Sequence, residues 1–231
     1  MTARLAIALA SMALLADCAA PPADHYHTLR APAASPASGP RPTGHVLAIG
    51  PVTVPASLQR PGWVVREDDL GMRIYEHQLW TQDLADEIAQ ALADDLDAGS
   101  PASSRPWADP APPSALMSPT IAPPGAVRVR VQIVRFDASL APRTGISDSL
   151  RWTLECGTTE ETGWHVLRSE VRDAQLVAET PAAPDSGVSE RFDILASLHA
   201  QVLALLAKDI AGALDETEGE RAQRCAAAPA S

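Results

Sequence analysis

Apolar residues recur at helical spacing in two segments of this chain, and each segment predicts an amphipathic helix. In residues 81–96 and 189–214 they return every three or four positions, so that they share one helix face. The two stripes consist of Leu84, Ile88, Ala91, Leu92 and Leu96 in the first segment and of Leu195, Leu198, Val202, Leu205, Leu206, Ile210 and Leu214 in the second. Both stripes need a partner layer, so we expect the helices to pack on a sheet.

Alternation of apolar and polar residues predicts strands between the two helices. The clearest alternating runs are residues 127–133 and 150–156. After a turn at residues 157–163, the segment 164–177 is expected to return antiparallel to the second run. The apolar phase of the first run switches to Val134 and Phe136, which predicts either a β-bulge or a strand end that crosses between layers.

The segment before the first helix predicts one strand and a small hairpin. Residues 46–54 form the strand, and Pro51 within it must lie at an edge or a bulge because proline has no N–H to donate. Residues 63–66 and 72–75 are expected to form the short hairpin. Thr81 is the expected N-cap of the helix that follows.

The element order β-α-β-β-β-α, with the added hairpin, predicts an α+β fold. We expect an antiparallel sheet of about four strands with the two amphipathic helices on one face. The domain is assigned to residues 45–214. It contains a long Pro-rich loop at residues 99–125 and is followed by a polar tail at residues 215–231.

The charge of the chain argues against several functional classes. The 231 residues include 18 basic and 29 acidic side chains, a formal net charge of −11, and Lys208 is the sole lysine. An acidic chain without a basic run in its sequence argues against nucleic-acid binding. It also argues against electrostatic docking on anionic lipid.

The N-terminus has the pattern of a bacterial lipoprotein signal. Arg4 precedes an apolar run at residues 5–15, which is shorter than the roughly 20 residues that span a bilayer. Leu15-Ala-Asp-Cys18 then resembles a lipobox, whose cysteine is acylated after cleavage, although Asp17 replaces the usual small residue. We expect a signal peptide at residues 1–17 and a lipid on Cys18. An ordinary secretory signal, cut a few residues further on, is the alternative.

Residues 18–44 are rich in Ala, Pro and Ser and predict a flexible or extended tether. Ala19 follows Cys18, at a position where Asp would resemble an inner-membrane retention signal, and this favours the outer membrane. His25 and His27 lie in this tether and are expected to be solvated rather than bound to a metal.

The sequence predicts no catalytic, cofactor or metal site. It contains no nucleophile elbow, phosphate loop or zinc-binding helix motif. Asp68 and Asp69, and Asp94, Asp95 and Asp97, are expected to be solvated. A calcium site is the alternative, which lacks the ligand spacing of an EF-hand loop. His77 has no evident partner. The tryptophans are expected to fill the core rather than to line a lipid groove. They include Trp80, Trp107, Trp152 and Trp164.

Beyond Cys18, the chain has two cysteines, Cys156 and Cys225. Cys156 lies on the apolar face of its strand, opposite His165 across the hairpin turn, so a core thiol is expected rather than a reactive thiolate. The favoured arrangement is a buried Cys156 with an unpaired Cys225. An intramolecular disulfide is the alternative, because the periplasm is oxidising and the tail has enough reach.

Several short runs in the chain match those of one family as a series. They are Tyr26-His-Thr-Leu29, Val54-Pro-Ala-Ser-Leu-Gln-Arg-Pro61, Val64-Val-Arg66, Trp80 at a helix start, Pro106-Trp107, Val131-Gln-Ile-Val-Arg-Phe-Asp137, Ser149-Leu-Arg-Trp-Thr-Leu154 and Ala207-Lys-Asp-Ile-Ala-Gly-Ala-Leu214. In these runs the chain resembles the PqiC family, the ABC-type transport auxiliary lipoproteins of Gram-negative bacteria. The resemblance implies that residues 26–29 open the domain, as in family members where this segment is often an edge strand.

The resemblance implies a periplasmic accessory lipoprotein, anchored in the outer membrane, of an ABC/MCE-type system that transports lipids between the two membranes. Its implied partners are an MCE-domain protein and an integral membrane component, and a homo-oligomer is left open. It implies docking without catalysis. A structural or regulatory lipoprotein, such as an activator of cell-wall synthesis, is the alternative. A hydrolase is a third hypothesis, which the absent catalytic motifs disfavour.

Overall fold

The computed structural model describes six segments of the chain: residues 22–30, 47–99, 104–106, 127–157, 164–179 and 187–225. In chain order their elements are β1 His25–His27, β2 Leu47–Thr53, β3 Gly62–Arg66, β4 Met72–Trp80, α1 Leu84–Gly99, β5 Ser104–Pro106, β6 Val127–Ser139, β7 Gly145–Gly157, β8 Trp164–Val177, α2 Val188–Glu216 and α3 Glu218–Arg224. A short 3-10 turn, Ala56–Leu58, joins β2 to β3.

The described strands form one eight-stranded sheet built around β6. Along one edge β6 pairs antiparallel with β7, which in turn pairs antiparallel with β8. A strand has two hydrogen-bonding edges, so β2 and β3 share the other edge of β6, both parallel to it. The antiparallel β3–β4 hairpin adds β1 at its outer side, and β5 adds to β2, both in parallel.

The expected antiparallel sheet of about four strands is therefore wrong in strand number and in direction, although the α+β class is right. Strand β5 was not predicted, and β1 was implied only by the family resemblance of residues 26–29; each has three residues, too few for an alternating pattern to appear. Their pairings are parallel and join distant parts of the chain. Neither property is visible in local sequence.

Helices α1 and α2 pack against each other and against one face of the sheet. Apart from Leu205, which is exposed, the residues of both stripes are buried with the alternating apolar residues of β6 and β7 in a single core. At its centre the rings of Trp63 and Trp80 stack 4.1 Å apart, and Phe192 meets Trp63 edge-on. The expectation that both helices lie on one face is confirmed.

Helix α2 is long and apolar enough to cross a membrane by length and composition alone. Twelve of its residues are buried in the core, among them Phe192, Leu203 and Ile210. A core helix of a globular domain meets the same criterion, and the burial of α2 places it in that class.

Two predicted irregularities of the strands are confirmed. The β2–β6 register shifts between Ile49 and Val52, so that Pro51 lies at the irregularity. There Gly50 has a φ of 121°, a conformation that a Cβ atom disfavours. The β6–β7 register shifts between Ile133 and Arg135, which leaves Val134 at the bulge and half exposed.

The folded domain extends beyond the predicted boundaries at both ends. Part of the expected tether is strand β1, which lies in the sheet. Part of the expected polar tail is helix α3, which ends at a buried Cys225. The Pro-rich loop contributes β5, and the rest of residues 100–126 lies outside the described residues.

Removing the side chain of Leu92 tests the core directly, because Leu92 on α1 is 0% exposed. We expect Leu92→Ala to lower the free energy of unfolding by about 2–5 kcal/mol, from lost burial and the cavity left behind. Urea denaturation measures it. Leu70→Ala is the matched control, since Leu70 is 95% exposed, and should change stability by less than about 0.5 kcal/mol. Equal effects of the two variants would show that the α1 stripe is not in the core.

Candidate functional site

The N-terminal strand is held in the sheet by a buried histidine. His27 pairs with Trp80 in the β1–β4 register and is 4% exposed. Its Nδ1 lies 2.8 Å from a carboxylate oxygen of Asp193 on α2, and its Nε2 lies 2.8 Å from the amide oxygen of Gln78. The expected solvated imidazole is therefore wrong for His27, which joins β1 to β4 and α2. His25 is exposed.

A buried carboxylate on α1 completes the attachment of this segment. Glu87 is 1% exposed and accepts hydrogen bonds from the Thr28 hydroxyl at 2.9 Å and from the backbone N–H of Leu29 at 3.1 Å. The hydroxyl of Thr81, the expected N-cap, also donates to Glu87. A buried carboxylate needs several donors, and these three hold residues 28–29 against the start of α1.

Sequence reasoning missed both residues of this attachment. A signal for Glu87 exists, since it lies three positions after Leu84 and one before Ile88, on the buried face of the helix. A carboxylate in an apolar stripe indicates a polar partner elsewhere in the fold. The sequence does not indicate which segment supplies that partner.

At the far end of the sheet, a disulfide joins Cys156 on β7 to Cys225 after α3, with Cα atoms 5.9 Å apart. The favoured arrangement of an unpaired Cys225 is therefore not what the structure has. Cys156 points into the core as expected, and α3 brings Cys225 to it. His165 is opposite Cys156 in the β7–β8 register, and its Nε2 lies 3.0 Å from Arg224.

A histidine and an aspartate are fully buried together beneath α2. His199 Nδ1 lies 2.8 Å from Asp148 Oδ2, and the imidazole stacks on Phe136 with ring centroids 3.7 Å apart. Burial raises the pKa of Asp148, and the neighbouring His199 opposes that shift. The adjoining cavity, lined by Trp63 and His199, has a volume of about 10 Å³, which fits about one water. A substrate has no room at this pair.

The sheet face opposite the helices is only partly covered in the described structure. Half-exposed apolar side chains lie along it on β4 and β8, namely Met72, Ile74, Val166, Val171 and Val177. Near the end of β7 this face carries a buried ion pair, in which Arg128 donates to Glu155 at 2.6 Å. The guanidinium of Arg128 also lies 3.7 Å from the ring centre of Trp164. The face therefore combines half-exposed apolar side chains with a hydrogen-bonded ion pair.

The acidic residues singled out by sequence have local structural roles. Asp68 accepts backbone N–H bonds from Leu70 and Gly71 in the β3–β4 turn, and these lower its pKa. Asp94 binds Arg30 at 2.7 Å. Burial raises the pKa of Asp95, with a further contribution from Asp94. Among the described residues, no group of three or more His, Cys, Asp or Glu side chains is placed to hold a metal.

The remaining candidates also have defined places. Trp80 and Trp152 are buried in the core, as expected, and Trp164 is partly buried under Arg128. His77 has a partner that sequence did not indicate, since its Nδ1 lies 2.9 Å from Asp24. Cys18 and Trp107 lie outside the described residues.

Fold and attachment define a small α+β domain whose N-terminal segment is built into the edge of its sheet. The family described as the ABC-type transport auxiliary lipoprotein component matches residues 27–211. The chain belongs to this family, as the resemblance to PqiC-type proteins predicted. No curated protein sequence matches the chain.

Solved structures share the fold at low sequence identity. A crystal structure of an uncharacterized protein superposes with a TM-score of 0.53 at 18% identity, covering 82% of this chain and 99% of that one. A protein of Xanthomonas campestris has a TM-score of 0.54 at 13% identity, with coverages of 87% and 98%. At these identities the likeness shows the fold alone.

The disulfide is expected to stabilise the domain, because it closes a loop with a sequence separation of 69 residues. Cys225→Ser should lower the free energy of unfolding by about 2–5 kcal/mol, measured by urea denaturation. The wild-type protein with reductant present throughout is the control and should match the variant.

Intact mass of the alkylated protein checks the bond itself. Under denaturing conditions we expect neither Cys156 nor Cys225 to react without reductant and both to react with it. Alkylation of both thiols without reductant would contradict the bond.

Proposed function

We propose that the chain is an outer-membrane-anchored periplasmic accessory lipoprotein of an ABC/MCE-type intermembrane lipid transport system. It acts by docking to partner subunits, an MCE-domain protein and an integral membrane component. The observation that carries the proposal is the family match over residues 27–211, which includes nearly all of the sheet and both core helices. Crosslinking in cells would also measure whether the lipoprotein docks as a single copy or as a homo-oligomer.

The way β1 is attached supports an anchored function. Seven residues lead from Cys18 to His25, where the sheet begins, and seven residues span at most about 25 Å. A lipid on Cys18 would therefore hold the domain close to the membrane surface. The buried contacts of His27 and Glu87 transmit that restraint to the sheet and to both core helices.

Docking, rather than catalysis, fits the described side chains. The buried His199–Asp148 pair is enclosed in the core, and its cavity is the size of a water. The sheet face with its half-exposed valines offers surface for contact instead. A broad esterase screen of the purified protein tests this part of the proposal. Substrate turnover that is lost when a surface side chain of this protein is substituted would contradict it.

An activator of cell-wall synthesis is the second candidate, because such lipoproteins also place a small α/β domain on a tether. Affinity capture of the full-length lipoprotein from membranes, after crosslinking in cells, separates the two. We expect an MCE-domain protein among the captured partners. Capture of a penicillin-binding protein without any MCE-domain protein would favour the alternative and overturn the proposal.

Anchoring is expected to depend on Cys18. Cys18→Ala removes the thiol that receives the lipid, so the variant should remain uncleaved or become soluble instead of fractionating with the outer membrane. Separation of the membranes on a density gradient measures this.

Cys225→Ser is the matched control for that experiment, since it also removes a cysteine but should leave the fractionation unchanged. Outer-membrane fractionation of Cys18→Ala at the wild-type level would show that the anchor lies elsewhere.

A further inference from the structure

An open groove on the uncovered sheet face is rich in arginine. It has a volume of about 510 Å³ and lies where β3 and β6 end and β7 begins. Arg66, Arg135 and Arg143 line it together with Asp69 and Asp137. Three cations against two anions make the groove locally positive, in a chain whose net charge is −11.

Two of the three arginines are free to bind a ligand. Arg66 is occupied, since its Nη2 lies 2.7 Å from Asp137 and its Nη1 donates to the backbone oxygen of Asp69. Arg135 and Arg143 are exposed and have no ion pair or hydrogen bond with the described residues. Two unpaired guanidinium groups beside a positioned third are suited to the oxygens of a phosphate.

The end of the sheet that carries the groove is also the end toward which the N-terminal chain leads. β1 runs parallel to β4, with His25 opposite Gln78, and Asp24 contacts His77. From His25 toward the N-terminus, the chain therefore runs alongside β4 in the direction of Met72. Met72 is opposite Arg66, which lines the groove. A membrane anchor preceding residue 22 would approach the domain from this side.

Exposed apolar side chains lie at the same end of the sheet, next to residues of the groove in the chain or across a strand pair. Leu70, in the β3–β4 turn, is 95% exposed, and Met72 and Val177 are about half exposed. Val177 itself lines the groove. Exposed apolar residues beside guanidinium groups suit a membrane interface, where acyl chains and phosphates lie within a few ångströms of each other.

We propose that the groove of Arg66, Arg135 and Arg143 binds the phosphate of a phospholipid headgroup. Leu70, Met72 and Val177 then contact the acyl region beside it. Arg135 and Arg143 bind the phosphate oxygens, and Arg66, oriented by Asp137, closes the site. The inference deepens the proposed function, because the lipid on Cys18 brings this end of the domain to the membrane.

The test uses ¹⁵N-labelled full-length lipoprotein in neutral detergent micelles, doped with increasing phosphatidylglycerol. The backbone amides of Gly145 and Val177, which line the groove, report binding by nuclear magnetic resonance. We expect saturable shifts with phosphatidylglycerol and none with diacylglycerol, which lacks the phosphate. Inorganic phosphate added to undoped micelles should bind at least about tenfold more weakly, since it makes no apolar contact.

The double variant Arg135→Gln with Arg143→Gln should weaken the binding of phosphatidylglycerol by at least about tenfold. Both side chains are exposed, so its thermal midpoint should match wild type. Arg151→Gln is the matched control. Arg151 is exposed on the same sheet face of β7, outside the groove, and its loss should leave binding unchanged.

Three results would overturn the proposal. Unchanged binding in the double variant would place the lipid elsewhere. Inorganic phosphate binding as tightly as phosphatidylglycerol would make the ligand free phosphate. A glutamate-rich peptide that shifts the same amides, when phosphatidylglycerol does not, would assign the groove to an acidic protein partner. The measurement uses the lipoprotein alone, without partner subunits or outer membrane. A negative result here would therefore reject the groove as a headgroup site without rejecting the proposed docking function.

Discussion

Burial of the α2 stripe is the interaction on which the rest of this structure depends. Twelve residues of α2 are buried, and each large apolar side chain contributes about 1.5–3 kcal/mol by leaving water. Strands β7 and β8 lie against α2, Phe136 on β6 stacks on its His199, and α1 packs beside it. Both helices therefore occupy one face of the sheet. The opposite face stays uncovered by helix in the described structure, and it carries the half-exposed valines and the arginine groove.

The N-terminal segment is part of the sheet, and this restricts how the domain can be oriented relative to the chain that precedes it. If residues 18–44 were all flexible, a domain on this 27-residue link would sample many orientations at a membrane. The structure instead places His27 and Leu29 in the core. If Cys18 carries a lipid, the parallel pairing of β1 with β4 restricts which end of the domain can reach the bilayer. Under the proposed anchoring, the polar contacts of Glu87 and His27 would bear on function as well as on stability.

Sequence periodicity predicted the elements whose pattern is local. The segment 164–177 was expected as a strand and is β8, and the phase shift at Val134 marks a real bulge. The bounds of both long helices were predicted to within three residues. What could not be predicted is pairing at a distance: the parallel contacts of β1 and β5, the donors to Glu87, and the approach of Cys225 to Cys156. The groove was missed for the same reason, since Arg66 and Arg135 are far apart in the chain.

The net charge of −11 led to the expectation that the chain would not dock electrostatically on anionic lipid. The fold qualifies that inference, because charge acts over a Debye length of about 8 Å at physiological salt. The net charge of the whole chain would act on approach from solution, whereas Arg135 and Arg143, which line the proposed groove, would act at contact. A site of this kind would have a low affinity for headgroups in a protein that is free in solution, because an anionic membrane repels the acidic chain. It becomes effective when an anchor raises the local concentration of headgroups at that end. The proposed anchor and the proposed groove are therefore complementary, because the anchor would provide the proximity that the net charge opposes.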